Sequence, residues 1–208
     1  MKRLIATAAL ATLVATPALA QSYPGVPDEG FYLGTALGQA KLKNDGFDEL
    51  SREGFNTDDK DTAFKLFAGY QFNPNFAVEA SYVDFGDFTA DMSIVGEGGA
   101  GSVNAEASAD GFGFALVGRL PIDAGFSVFG KLGLIAWDGD IDVVGRANGQ
   151  TLIQDRQSAD DIDPFYGVGA EYVVNQVMMR LEFERYDISD SGEDFEIDLI
   201  SASIGYRF

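Results

Sequence analysis

Eight stretches of this chain alternate apolar residues with polar or small ones at a period of two, which is the pattern of half-buried β-strands. In the second stretch, for example, Phe64 and Leu66 share one face, whereas Lys65 and Gly69 share the other. Eight consecutive strands predict an all-β, antiparallel, up-and-down barrel. The predicted strands are residues 31–42, 62–72, 76–85, 111–120, 126–137, 164–174, 177–186 and 197–208.

The connections between these strands alternate between tight turns and long loops. Turn-forming residues mark tight turns at 73–75, 121–125 and 175–176, while long loops cover about 44–61, 87–110, 138–163 and 187–196. Bacterial outer-membrane barrels alternate in this way, with short turns in the periplasm and long loops at the cell surface. We therefore expect a transmembrane barrel in the outer membrane with both termini in the periplasm.

The apolar faces of the strands leave two orientations open. They would face inward in a soluble, lipocalin-like carrier and outward toward lipid in a membrane barrel. Glycines such as Gly69 and Gly133 occupy the opposite faces and suit the narrow interior of an eight-stranded barrel, which favours lipid outside. Aromatic residues near the tight turns also predict a periplasmic girdle, formed by Tyr70, Phe72, Phe76, Phe126, Tyr172, Tyr206 and Phe208.

The two ends of the chain carry further signals. Lys2 and Arg3 precede an apolar run at 4–14, and the small residues at 18–20 fit a signal-peptidase site. We expect a cleaved signal peptide at 1–20, a short segment at 21–29 and the barrel domain at 30–208. The last strand is expected to pair with the first, because an unpaired edge invites aggregation.

The chain is strongly acidic, with 33 acidic and 14 basic residues and a net charge of −19. The excess falls on the four predicted loops and argues against nucleic-acid binding. Solvation of the loops is the simpler interpretation. The alternative is that the loops bind divalent cations that bridge to lipopolysaccharide, or a basic partner.

Little in the sequence indicates catalysis or a cofactor. The chain has neither histidine nor cysteine, which excludes a histidine general base and thiol chemistry. Asp138, Asp140 and Asp142 have the spacing that opens a calcium loop, but Val143 and Gly149 replace its glycine and closing glutamate. The glycine-rich stretch at 96–101 lacks the lysine of a phosphate loop. We predict no catalytic residue, cofactor or metal site, and hence a protein that is not an enzyme.

Charged residues also occur on the faces assigned to the barrel interior. They have two interpretations: a network of ion pairs that fills the lumen, or the lining of a narrow pore. The first is favoured because an eight-stranded barrel has room for little more than its side chains. The predicted interior residues are Lys65, Glu79, Arg119, Lys131, Glu171, Arg180, Glu182 and Arg207.

Several short motifs, in order along the strands, resemble the transmembrane domain of OmpA-type outer-membrane proteins. They are FYLG at 31–34, GYQFNP at 69–74, KLG at 131–133, GAEY at 169–172, RLE at 180–182 and SIGYRF at 203–208. The resemblance implies an eight-stranded barrel with an interior ion-pair network that includes Glu79, Lys131, Glu171 and Arg180. It also implies that the aromatic tail, with Tyr206 and Phe208, is a signal for the barrel-assembly machinery.

The chain departs from the family pattern in two respects. Ala36 stands where the family has an inward basic residue on the first strand, so Lys65 is expected to take part in a rearranged network. No peptidoglycan-binding domain follows the barrel, so we expect no tether to the cell wall. The expected function is structural support of the envelope or interaction with lipopolysaccharide and other partners at the cell surface. A small passive channel and a soluble carrier are the alternatives.

Overall fold

A computed structural model describes residues 29–43, 56–96, 99–123, 125–147, 150–190 and 193–208. These residues form almost only β-strands. The predicted signal peptide lies outside the described residues and stays a prediction. The strands are β1 (Gly30–Lys43), β2 (Asn56–Asp58), β3 (Lys60–Asn73), β4 (Phe76–Gly96), β5 (Gly99–Asp123), β6 (Phe126–Ala147), β7 (Gln150–Val174), β8 (Val177–Asp190) and β9 (Glu193–Arg207).

The strands close into a barrel. β1 pairs antiparallel with both β3 and β9. From β3 to β9, each strand pairs with the next one in the sequence, including β4 with β5, so the ring of strands closes without an open edge. The three-residue β2 pairs only with the outer part of β4 and adds no further wall. The prediction of an eight-stranded antiparallel barrel, with walls β1 and β3 to β9, is confirmed.

The two faces of the strands lie as the membrane-barrel interpretation expects. Lys65 is 1% exposed and faces the interior, while its neighbours Phe64 and Leu66 are 38% and 48% exposed on the outside. Large apolar side chains cover the outer surface on the other strands as well. The soluble, lipocalin-like alternative, which places the apolar faces inside, is therefore wrong. Among the described residues, no helix is long and apolar enough to cross a membrane.

One end of the barrel, called the turn end below, carries the tight connections. The predicted turns are confirmed at residues 74–75 and 175–176. The Asn73 side-chain oxygen accepts hydrogen bonds from the backbone N–H groups of Asn75 and Phe76, at 2.9 and 3.0 Å. Asn175 has a φ of 56°, a left-handed conformation that asparagine tolerates.

Aromatic rings form contacts on the outer surface near the turn end. Phe31 and Tyr70 have ring centroids 4.8 Å apart, Tyr70 and Phe72 are 5.2 Å apart, and Tyr206 and Phe208 are 5.1 Å apart. The remaining residues of the predicted girdle are also exposed on the outside: Phe76, Phe126 and Tyr172.

At the opposite end, called the hairpin end, the strands extend much further than the sequence predicts. β4 and β5 pair without a long loop up to Gly96 and Gly99, and β6 and β7 pair up to Ala147 and Gln150. The predictions of long loops at 87–110, 138–163 and 187–196 are therefore wrong, because most of these residues belong to extended hairpins, including β8 and β9, which pair up to Asp190 and Glu193. Both faces of these hairpins are rich in small and acidic residues, so they lack the apolar alternation that indicates a strand.

Candidate functional site

The barrel interior holds a cluster of charged residues, called the interior network below. It contains all eight residues that the sequence predicts and one more, Glu184, and each is at most 6% exposed. They come from the inward faces of β3 to β9, which curve around one narrow lumen. The members are Lys65, Glu79, Arg119, Lys131, Glu171, Arg180, Glu182, Glu184 and Arg207.

Two lysines hold three glutamates in one part of this network. The Lys131 ammonium lies 2.7 Å from Glu79, 2.8 Å from Glu182 and 3.3 Å from Glu184. The Lys65 ammonium donates to Glu182 at 2.6 Å and also to Glu184. Lys65 lies directly opposite Ala36 in the β1–β3 register, where the OmpA-type pattern has its basic residue on the first strand.

Arg180 connects this part of the network to a second carboxylate. Its Nη1 lies 2.7 Å from Glu79 and its Nε lies 2.7 Å from Glu171, so one guanidinium bridges two acids. Its central carbon is also within about 5 Å of three aromatic rings, with centroid distances of 5.0 Å to Tyr32, 5.0 Å to Phe67 and 5.1 Å to Phe129. These cation–π contacts add to the ion pairs.

Two further arginines complete the network toward the turn end. Arg119 lies 3.2 Å from Glu171, and Arg207 lies 3.7 Å from the other oxygen of the same carboxylate. Both arginines also donate to the side-chain oxygen of Gln71. In total, five cations surround four carboxylates, and this mutual pairing offsets the cost of removing the charges from water.

An apolar layer lies between this network and the hairpin end. The Tyr186 ring stacks on Phe165 at 4.9 Å and meets the edge of Phe85 at 4.8 Å. The Trp137 indole N–H donates to Asp163 at 2.9 Å. The layer consists of Ala40, Leu42, Ala63, Val83, Phe85, Phe88, Ala115, Ile135, Trp137, Phe165, Tyr186, Ile188, Ile197 and Leu199.

A family model described as the outer membrane protein beta-barrel domain matches residues 6–208. The chain belongs to this family. Its membership confirms the OmpA-type resemblance, and it agrees with a closed barrel that is apolar outside and charged inside.

A curated relative matches by sequence, and solved structures of outer-membrane proteins have a similar fold. The chain is 28% identical over 224 residues to outer membrane protein P5 of Haemophilus influenzae, and the match covers 96% of this chain and 60% of that protein. The crystal structure of Ail, the attachment invasion locus protein of Yersinia pestis, aligns with a TM-score of 0.54 at 19% identity over 86% of this chain and 99% of Ail. Neisserial surface protein A aligns with a TM-score of 0.51 at 13% identity over 86% and 97% of the two chains.

In this outer-membrane barrel, the sequence analysis missed three residues that bond to the charged residues of the interior. Glu184 follows Glu182 on the same inward face of β8, so the strand period contained the signal for it. Gln71 and Tyr32 are uncharged, and a search for charged residues passes over them. The Tyr32 hydroxyl donates to Glu79 at 3.0 Å, so it is bonded directly to the network.

A separate group of charges lies on the outside of the barrel, at the hairpin-end limit of the apolar surface. Arg185 donates two hydrogen bonds to Asp198, at 2.6 and 2.9 Å, and Lys43 lies 2.6 Å from the same carboxylate. Partial burial on its own would raise the pKa of Asp198, but the hydrogen bonds from Arg185 and Lys43 outweigh it and lower this pKa. The group places charge where an apolar surface ends.

The three aspartates that resemble the opening of a calcium loop lie along β6. Asp140 accepts a hydrogen bond from the Ser158 hydroxyl at 2.6 Å, and Asp142 lies 3.4 Å from Arg156. Asp138 is exposed. Within the described ranges, no group of three or more acidic side chains is arranged to hold a metal ion.

Proposed function

We propose that this protein is a non-conducting outer-membrane barrel that supports the envelope and presents acidic hairpins at the cell surface. The apolar outer surface spans the lipid, the turn end faces the periplasm with both ends of the barrel domain, and the hairpin end faces outward. The short turns and aromatic contacts at one end support this orientation, because they are typical of the periplasmic side of such barrels.

The filled lumen is the observation that carries the proposal. The interior network and the apolar layer lie one after the other inside the barrel, and the residues of both are buried. A solute would have to separate several ion pairs and then the stacked rings of Phe165 and Tyr186. This arrangement supports a structural role rather than the alternative of a passive channel.

The hairpins support an interaction role at the surface. The β4–β5 hairpin beyond residue 86 contains acidic residues and no basic one, and the β6–β7 hairpin beyond residue 137 has far more acidic than basic residues. Such a surface attracts cations and repels polyanions. Divalent cations that bridge to lipopolysaccharide, or a basic partner, are the ligands that fit this charge.

The same observations favour a role without catalysis. The chain has no histidine, so it lacks the general base used most often in enzymes. The buried carboxylates Glu79, Glu171, Glu182 and Glu184 are each held by lysine or arginine, which leaves them in structural pairs.

Labelling of single cysteines tests the proposed orientation, and the lack of natural cysteine makes the background clean. We expect Asp138→Cys, on the exposed part of β6, to react with a membrane-impermeant maleimide on intact cells. Gln176→Cys, in the tight turn between β7 and β8, should react only after the outer membrane is permeabilised.

Both variants are also labelled after solubilisation, which controls for intrinsic reactivity. Labelling of Gln176→Cys on intact cells with protection of Asp138→Cys would reverse the orientation. Recovery of the mature protein in the soluble periplasmic fraction would contradict the membrane assignment altogether.

A further inference from the structure

The strands β4 to β7 continue beyond the closed ring of the barrel as a four-stranded sheet. β7 pairs with β8 only from Phe165 onward, while its pairing with β6 continues to the hairpin tip. On the other side of this sheet, β2 covers part of β4. Residues 153–162 of β7, called the β7 edge below, thus have β6 on one side and no described strand on the other.

The β7 edge is long and regular. Its register with β6 runs without a shift from Ile153 to Ile162, over about 30 Å. Edge strands are commonly blunted by proline, a bulge or charged side chains. The β7 edge has neither proline nor bulge, so charge is its only protection. Alternate backbone N–H and C=O groups along it point away from β6 and can pair with a further strand.

Aspartates supply most of the charge on the β7 edge. Asp155, Asp160 and Asp161 are all exposed. The one basic residue of the edge, Arg156, lies 3.4 Å from Asp142 on β6 and is therefore already paired within the sheet. Opposite charges across neighbouring strands stabilise a sheet, and like charges destabilise it. The edge therefore repels acidic strands and favours a strand with lysine or arginine side chains.

A second copy of this chain fits the β7 edge poorly. Two copies inserted in one membrane have the same orientation, so their β7 strands would run parallel. A two-fold axis along two parallel strands turns equivalent side chains to opposite faces, which does not match the regular pleat of a parallel ladder. The same arrangement would bring equivalent aspartates to the same height, where like charges repel.

We propose that the β7 edge binds an extended, basic segment of another protein by β-strand addition. Backbone hydrogen bonds to β7 provide the affinity, and basic side chains at alternate positions provide the selectivity. Asp155 and Asp161 share one face of the strand, so basic residues at a period of two on the partner meet both of them. This inference rests on the proposed function, in which the hairpin end faces outward, and it specifies how a basic partner binds.

Fluorescence anisotropy with synthetic peptides tests strand addition. The probe is a labelled peptide of alternating lysine and threonine, as long as the β7 edge, and the refolded protein is held in nanodiscs of zwitterionic lipid. We expect saturable binding. N-methylation of every second residue blocks one side of the peptide backbone and should preserve binding, because an added edge strand uses only its other side. N-methylation of every residue keeps the charge but should abolish binding.

Disulfide trapping locates the bound peptide. Ser158→Cys lies in the middle of the β7 edge, and Ser108→Cys lies on β5 in the same row of the sheet, since both serines pair with Asp140 of β6. A peptide with cysteine in place of one threonine should react about tenfold faster with Ser158→Cys. Both rates are normalised to a small uncharged thiol reagent, and heat-dependent migration on gels verifies that each variant is folded.

Neutralisation of aspartates tests the charge. The combined change Asp155→Asn, Asp160→Asn and Asp161→Asn should weaken binding of the lysine peptide about tenfold, as three cross-strand charge pairs provide. A matched variant removes the same charge from β4, and we expect it to bind the peptide nearly as well as the unchanged protein. It neutralises three other exposed aspartates: Asp84, Asp87 and Asp91.

Four results would overturn the proposal. Equal binding of all three peptides would show attraction by charge alone, and equal trapping by the two cysteine variants would remove the peptide from the β7 edge. Equal weakening in the two neutralised variants would contradict selection by the edge aspartates. A dimer of the protein that the peptide dissociates would assign the edge to a second copy. None of these results alters the cysteine labelling that tests the orientation, so this proposal can fail while the proposed function stands.

Discussion

Glycines on the inward faces leave the space that aromatic rings occupy inside the barrel. A β-carbon on Gly169 would lie 2.5 Å from the Phe129 ring, and one on Gly133 would lie 2.6 Å from the Phe165 ring. Gly69 is the most restricted of these, because its β-carbon would overlap the Tyr32 ring. The aromatic rings in the narrow lumen thus occupy the space that side chains at these glycine positions would fill.

This packing predicts a large effect of Gly69→Val. The Tyr32 ring would have to move, which disturbs its hydrogen bond to Glu79 and its contact with Arg180. Overpacking of this kind costs about 1–3 kcal/mol in the free energy of unfolding. Urea unfolding in lipid vesicles, followed by Trp137 fluorescence, measures the loss.

Gly118→Val is the matched control, because a β-carbon at Gly118 has nothing within 4 Å. We expect its urea midpoint to stay close to that of the unchanged protein. Equal midpoints for Gly69→Val and Gly118→Val would show that the contact between Gly69 and Tyr32 does not constrain the barrel.

The individual interior residues could be predicted only in part. Lys65, Lys131 and Arg180 stand out because charge is rare on a face that points away from water. The apolar layer is harder to foresee, since Phe165 and Tyr186 share the inward face with the charged residues. Alternation along a strand assigns a face, but it does not show that this face changes from polar to apolar along the barrel axis.

At the scale of the elements, the strands were predictable where their outward face is apolar and their inward face is polar or small. Six of the eight barrel strands, β3 to β8, begin or end near the predicted tight turns. Their hairpin ends were not predictable, because β4 to β7 continue through acidic and small residues. Backbone pairing alone extends these hairpins, and it leaves no pattern in the side chains.

The last strand, β9, combines a structural role with an expected assembly role. It pairs with β1 and β8, and the Phe208 backbone N–H donates to the Phe31 carbonyl at 2.9 Å. The Phe208 side chain is 60% exposed on the outer surface and therefore fills no space inside.

Deletion of Phe208 should consequently impair assembly in cells more than stability. We expect a marked loss of folded protein in the outer membrane, while the protein refolded in vitro keeps nearly the same unfolding midpoint. Phe31→Ala removes an outward-facing ring of β1 that is similarly exposed, and this variant should assemble normally. Normal assembly kinetics after deletion of Phe208 would contradict a signal in the tail.

At the scale of the whole molecule, the barrel consists of an apolar exterior around two successive barriers. The interior network closes the lumen with ion pairs, and the apolar layer closes it again with packed rings. On the function proposed above, either barrier would exclude hydrated ions only while its side chains keep their positions. Charge on the extended hairpins would then determine which molecules approach the cell surface.

Electrical recording in planar bilayers tests the closed lumen most directly. A variant that combines Arg180→Ala with Tyr186→Ala weakens both barriers and serves as the positive control, for which we expect a raised current. The unchanged protein, at matched insertion, should show no large or long-lived conductance. Steady currents on the scale of a porin from the unchanged protein would contradict the account of a filled, non-conducting barrel.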